Sequence, residues 1–144
     1  MTSEEARMSL SFHSGRNSDI KNPRWINGFL GSLRKFNGDI IEDNFIDVMR
    51  CLKILATVFA ADVVDKNLLA DVYGILYYTT IWIQEGGRLS NIDCKIKNKI
   101  KYWMEMYSYA IVLLLDYSEQ AYKEAFMEFD DYVMNLSKSE QLPV

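Results

Sequence analysis

Histidine is almost missing from this chain: His13 is the one imidazole among 144 residues. Acid–base catalysis near neutral pH draws on histidine more than on any other side chain. A single copy excludes the two-histidine zinc helix and the di-iron site built from paired Glu-x-x-His motifs. Residues 1–21 carry Ser, Arg, Asn and Gly with little apolar periodicity, so they read as a mobile N-terminal arm. His13 then has nothing to preorganise it, and Ser–His–Asp or Cys–His arrangements are not expected. The sequence therefore predicts no catalytic residue, no metal site and no cofactor. An enzyme working with carboxylates alone, or with a Ser–Lys pair, is the catalytic class left open.

Other scarcities exclude other classes. Two cysteines, Cys51 and Cys94, fall on separate predicted helices, too few and too far apart for a disulfide framework or a zinc site. Two Pro and seven Gly argue against a loop-rich or all-β fold. The longest apolar run, Tyr107 to Leu115, is well short of the ~20 residues that span a bilayer. Met1 to Ser14 places Glu4 and Glu5 where a secretory signal has basic residues, and it lacks an apolar core segment. A cytosolic protein without membrane contact is the expectation. Basic residues are outnumbered 16 to 20 by acidic ones, for a net charge of −4. That disfavours a uniformly basic nucleic-acid binder, which needs clustered Lys and Arg to neutralise phosphates.

What the chain does have is apolar surface. Hydrophobic residues make up 49% and aromatics 13%, enough to build one core, since a domain of ~150 residues buries roughly 70% of its unfolded surface. The periodicity is helical throughout. Asn22-Pro23 starts a first helix, with Trp25, Ile26, Phe29, Leu30, Leu33 and Phe36 at helical spacing, and Asn37-Gly38 ends it. A second runs from about Glu42 to Ala61, and a third from Lys66 to Gln84, stopped by Gly86-Gly87. The third is apolar on nearly every face, which predicts a central position, and Gly74 within it predicts close approach by a neighbour. A fourth covers Ile92 to Leu115, capped by Ser90 or Asn91, with a second half expected to be deeply buried. A fifth follows Ser118 to Leu136, and residues 138–144 are a polar tail. Short connections favour antiparallel neighbours, so the fold class is all-α: one domain, a compact antiparallel bundle of about five helices.

Binding is the function left to consider. Residues 116–144 hold seven acidic and two basic residues, and residues 86–115 hold five basic and two acidic. On the fifth predicted helix, Glu124, Glu128 and Asp131 stand four and three residues apart, which puts them on one face. Mutual repulsion there would be relieved by a basic partner, although the same face also serves solubility. Asp43 and Asp47 make a second acidic stretch with Asp39 and Glu42. Negative charge near a helix start is already favoured by the helix dipole, which accounts for Glu42 and Asp43 but less well for Asp47. Tyr73, Tyr77, Tyr78, Trp82, Trp103 and Tyr107 are expected mostly in the core, with any exposed edge a candidate interface anchor.

The stretch Leu76 to Tyr117, LYYTTIWIQEGGRLSNIDCKIKNKIKYWMEMYSYAIVLLLDY, resembles small helical immunity proteins of bacterial toxin–immunity pairs, both contact-dependent and type VI secreted. The shared features are a Trp-bearing helix, the Gly-Gly-Arg-Leu loop, a polar cap and a long helix ending in a Leu-Leu-Asp turn. The segment EQAYKEAFMEFDDYV then corresponds to the closing helix, so that the likeness covers about 60 residues. It implies a cytosolic protein that masks a cognate toxin, with Glu124, Glu128, Asp131, Asp43 and Asp47 as candidate contacts; homodimerisation stays open. The helix YGILYYTTIWIQEGG also resembles the central helix of poxviral Bcl-2-like modulators, which implies a regulator or adaptor holding a partner helix in an apolar groove. A cleft lined by Tyr77, Tyr78 and Trp82 would be its mark.

Overall fold

Helix-capping chemistry explains most of the element boundaries in the computed structural model, which describes residues 1–116 and 118–141. Among the described residues the regular structure is all α-helix: α1 (Ser3–His13), α2 (Pro23–Asn27), α3 (Phe29–Arg34), α4 (Glu42–Ile54), α5 (Ala56–Phe59), α6 (Lys66–Ile83), α7 (Cys94–Leu115), α8 (Glu119–Ala125) and α9 (Met127–Gln141). Asn22 caps α2 ahead of Pro23, and Ser118 caps α8, as their sequences suggest. Asp93, rather than Ser90 or Asn91, caps α7 by accepting from the Lys95 N–H. Asp65 caps α6 through the N–H groups of Asn67 and Leu68, and those bonds hold its carboxyl below the ordinary value.

The five predicted helices are all present, but three are broken. The first is interrupted at Gly28, the second at Leu55 and the third of these, the closing helix, at Phe126. At the first break the cause is visible. Gly28 is extended, and the Phe29 N–H that a continuous helix would use internally donates instead to His13 Nδ1 at 2.9 Å. Gly31 allows α2 to fold tightly back on α3, because a Cβ there would meet the Trp25 carbonyl oxygen at 2.3 Å.

The largest correction concerns the N-terminus. Residues 1–21 are no loose arm: Ser3–His13 form a helix whose Thr2 and Glu5 make a reciprocal capping box. Ala6 and Leu10 are fully buried, and the helix packs against α4 and α6. The apolar positions Ala6, Leu10 and Phe12, broken by serines, give too faint a stripe to stand out in sequence. At the other end, Lys138 to Gln141 continue α9 rather than forming a tail, and residues 142–144 lie outside the described residues.

The core centres on Trp103 of α7, which stacks on Phe45 of α4 at 4.9 Å between ring centroids. Phe129 and Tyr132 of α9 meet Phe45 edge-on. Tyr107, also fully buried, donates its hydroxyl to the Val72 carbonyl of α6 at 2.7 Å, and burial drives its pKa well up. The second half of α7 is less enclosed than its composition suggests. Ala110 and Leu114 are buried, while Tyr109, Val112 and Leu115 are exposed. Gly74 has no neighbour within 4 Å of a would-be Cβ, so it marks no close approach.

Candidate partner-binding surfaces

The exposed side of α7 carries Tyr102, Glu105 and Tyr109 at i, i+3 and i+7, a spacing that places them on one face. The start of α9 adds Glu128 and Asp131, both exposed. The two helices meet where the Tyr102 hydroxyl donates to Glu128 Oε1 at 2.7 Å. That bond, with partial desolvation and the charges of Glu128, Glu105 and Asp131, pushes the Tyr102 phenol up to about 12. Among the described residues none of these three carboxylates is ion-paired to a Lys or Arg.

The five sequence-predicted contacts are thus dispersed. Glu128 and Asp131 share this face. Glu124 does not share a continuous helix with them, because the chain breaks at Phe126; it is half-buried on α8 and accepts from Gln120 Nε2. Asp43 is exposed in the first turn of α4. Its neighbour Glu42 is tied to α7 and α9, accepting from Lys99 Nζ at 2.7 Å and from the Tyr132 hydroxyl. Partial burial pushes the Glu42 carboxyl up, but the Lys99 and Tyr132 bonds and the Lys99 charge outweigh it and hold it low. Tyr102, Glu105 and Tyr109 escaped the sequence reading, although they step off the Ile96–Ile100–Trp103–Tyr107 stripe at regular helical intervals.

Asp47 belongs to an internal cluster instead. His13, 7% exposed, donates from Nε2 to Asp47 Oδ2 at 2.8 Å while its Nδ1 accepts the Phe29 N–H. The acceptor role of Nδ1 fixes the tautomer with the proton on Nε2. The Asp47 carboxyl is held below its ordinary value chiefly by this bond, against partial burial. A pocket of about 250 Å³ adjoins it, lined in part by Ser9, Arg24 and Asn44. Cys51 lies 3.9 Å from Asp47, but burial first, and the Asp47 charge second, raise its thiol to about 12, so it stays protonated. With both ring nitrogens engaged, His13 joins α1 to α4 and to the start of α3, and in this geometry it has no lone pair left to accept a proton from a nucleophile.

The aromatic residues of α6 divide differently from expectation. Tyr73, Tyr77 and Tyr78 are exposed at 64%, 47% and 46%. With half-buried Trp82 they form two adjacent i, i+4 rows in successive contact, the ring centroids 6.0, 5.3 and 5.9 Å apart. None of the four lines the large cleft nearby. That cleft, about 740 Å³, opens between α6 and α7 over a floor of Leu76, Ile83 and Met104. Its charged rim is mixed, with Lys97 and Lys101 facing a space shared with Glu85 and Glu105. No group of three or more metal-ligating side chains occurs among the described residues, and no described helix is long and apolar enough to cross a membrane.

Comparison with protein-family models, with curated proteins and with solved structures finds no match to this chain. The functional reading therefore rests on the chain's own surfaces.

Proposed function

We propose that this chain is a binding protein that captures a basic protein partner through the tyrosine–carboxylate face of α7 and α9, and that the partner is a toxin which it neutralises in the cytosol as an immunity protein does. The observation that carries the reading is the cluster of Glu105, Glu128 and Asp131 around Tyr102, unpaired with any Lys or Arg among the described residues. Unpaired carboxylates steer a cationic partner and raise its association rate, by ~10-fold or more at low salt. Tyr102 and Tyr109 supply rigid amphipathic contact with little entropy to lose, the quality that makes tyrosine frequent at binding hot spots.

Co-expression with the product of the adjacent gene, followed by co-purification, identifies the partner. The surface is then tested with the pair E128K/D131K and, separately, with Y102A/Y109A. The charge reversals should slow association at least tenfold at low salt, with the difference shrinking as salt rises. The tyrosine truncations should mainly accelerate dissociation. Unchanged affinity in both variants would remove this face from the interface.

The adaptor reading draws support from the α6–α7 cleft. Its expected walls, Tyr77, Tyr78 and Trp82, stand outside that cleft, and the mixed rim singles out no partner charge.

A further inference from the structure

Trp82 is approached by two guanidinium groups. Arg88 lies 5.1 Å and Arg34 lies 5.7 Å from its ring centroid. Arg34 also stacks on Trp25 at 5.1 Å, and Arg88 Nη1 reaches the Arg34 carbonyl oxygen at 3.4 Å. Two like charges are thus gathered at one indole. Among the described residues neither arginine is ion-paired to a carboxylate, whereas Arg7 pairs with Asp65 and Arg16 with Asp71. Both are exposed, so their donors face solvent in positions set by the aromatic rings. The exposed rings of Tyr73, Tyr77 and Tyr78 continue from this point along α6. Gly74, one turn before Tyr78 in the same row, leaves the helix backbone open beside them.

We propose that this aromatic–arginine face of α6 is a second docking surface, for an acidic protein segment whose carboxylates meet Arg34 and Arg88 while its apolar side chains lie on the tyrosines. Charge complementarity selects the occupant. Two unpaired guanidiniums call for carboxylates, which they bind in a planar, two-pronged geometry. Trp, Tyr and Arg are also the residues that dominate binding energy at protein interfaces. Aromatic rings with arginine serve single-stranded nucleic acid as well. A polyphosphate strand, however, would carry a charge at every nucleotide past a chain of net −4, and along α6 the two arginines are followed by a single further cation, Lys66, two turns before Tyr73. The inference is independent of the α7–α9 face, which uses other residues and selects the opposite charge.

The test is a titration of the full chain, followed by NMR at the indole and arginine side-chain resonances, with a random Glu–Tyr copolymer as probe. Saturable shifts at Trp82, Arg34 and Arg88 are expected. The double variant R34Q/R88Q should weaken copolymer binding at least tenfold, with an unchanged melting profile showing that it folds. E128K/D131K should bind the copolymer at least as well as the parent chain, which separates this surface from the other. Shifts absent from Trp82, binding retained by R34Q/R88Q, a response to polyuridylate but not to the copolymer, or full competition by millimolar inorganic phosphate would each overturn the proposal. The last two would reassign the face to nucleic acid or to a simple anion.

Discussion

Replacing His13 by Ala tests the cluster that joins α1 to the rest of the molecule. Three losses are involved. The Phe29 N–H, at the first position of α3, would lose its acceptor in a buried setting, which costs about 1–3 kcal/mol. The bond to ionised Asp47 would also go; the Asp47 side chain is 36% exposed, so solvent screening leaves that part at about 1 kcal/mol. Truncating the buried ring adds about 1 kcal/mol of lost packing. The sum is roughly 3–5 kcal/mol, read as a lower urea midpoint with an unchanged slope. Two further variants separate the terms. In H13N the amide oxygen stands near Nδ1 and can still accept from Phe29, so about 1–2 kcal/mol should be lost. In H13Q the amide nitrogen stands near Nε2 and can still donate to Asp47, so the larger Phe29 term should be lost instead. The pH dependence has a definite sign. Asp47 is held below its ordinary value of 3.8, chiefly by His13, so its contribution is fully present above that value and disappears as pH falls through the lower folded value. The stability gap between the parent chain and H13A should therefore narrow below about pH 4. A loss under ~1 kcal/mol in H13A at neutral pH would refute the assignment of His13 as a structural link.

Two other substitutions check the corrected reading of particular segments. L10A, at a fully buried position on α1, should cost about 2–5 kcal/mol in urea unfolding; a value within ~0.5 kcal/mol would mean that the N-terminal segment is not part of the core. G74A should stabilise the chain by about 0.5–1 kcal/mol, because Gly is a poor helix former and the added Cβ meets nothing within 4 Å. Calorimetry should show the midpoint rising by a few degrees, and a fall would show that the site is crowded after all.

Strong local signals made the helices of the middle of the chain legible in sequence. Gly86-Gly87 ends α6 as read, since Gly86 has φ +84° and a Cβ at Gly87 would collide with the Ile81 and Trp82 carbonyl oxygens. Ser118 caps as read for the same reason: the boundary chemistry is contained in one or two residues. The breaks at Gly28, Leu55 and Phe126 were not legible, because each interrupts an apolar pattern that continues on both sides. At Gly28 the deciding group is His13, fifteen residues earlier, and no local rule connects the two. The N-terminal helix was hidden by composition, its short stripe diluted by serines. Periodicity points the tyrosines of α6 to the core because it reports which residues are apolar, while tyrosine satisfies that criterion and tolerates water equally well. The buried stripe of α6 instead runs through Leu68, Asp71, Val72, Ile75, Thr79 and Ile83, and Asp71 and Thr79 add no apolar signal to it.

The acidic residues show why a charge count locates a binding face so poorly. Asp71, 7% exposed, accepts from Ser14 and pairs with Arg16; Asp47 is bound to His13, and Glu42 to Lys99 and Tyr132. Each is engaged by a residue from a distant element, Asp71 and Glu42 by a cation and Asp47 by the neutral His13 ring, so each counts in the charge of the sequence while presenting less of it to a partner. Near the C-terminus Asp130 pairs with Lys53, and Glu119 with Lys123. Subtracting these pairs leaves Glu124, Glu128 and Asp131 of α8 and α9 without a cation among the described residues, together with Glu105 on the adjoining face of α7. Partially cancelled charge does not attract a partner; uncancelled charge concentrated at one place does. The Tyr102 hydroxyl, on the exposed side of α7, donates to Glu128 and so ties the carboxylates of α9 to the face that carries Glu105. An approaching cation would meet these carboxylates together, which is why α7 and α9, and not the longer list of acidic positions, form the face to test first.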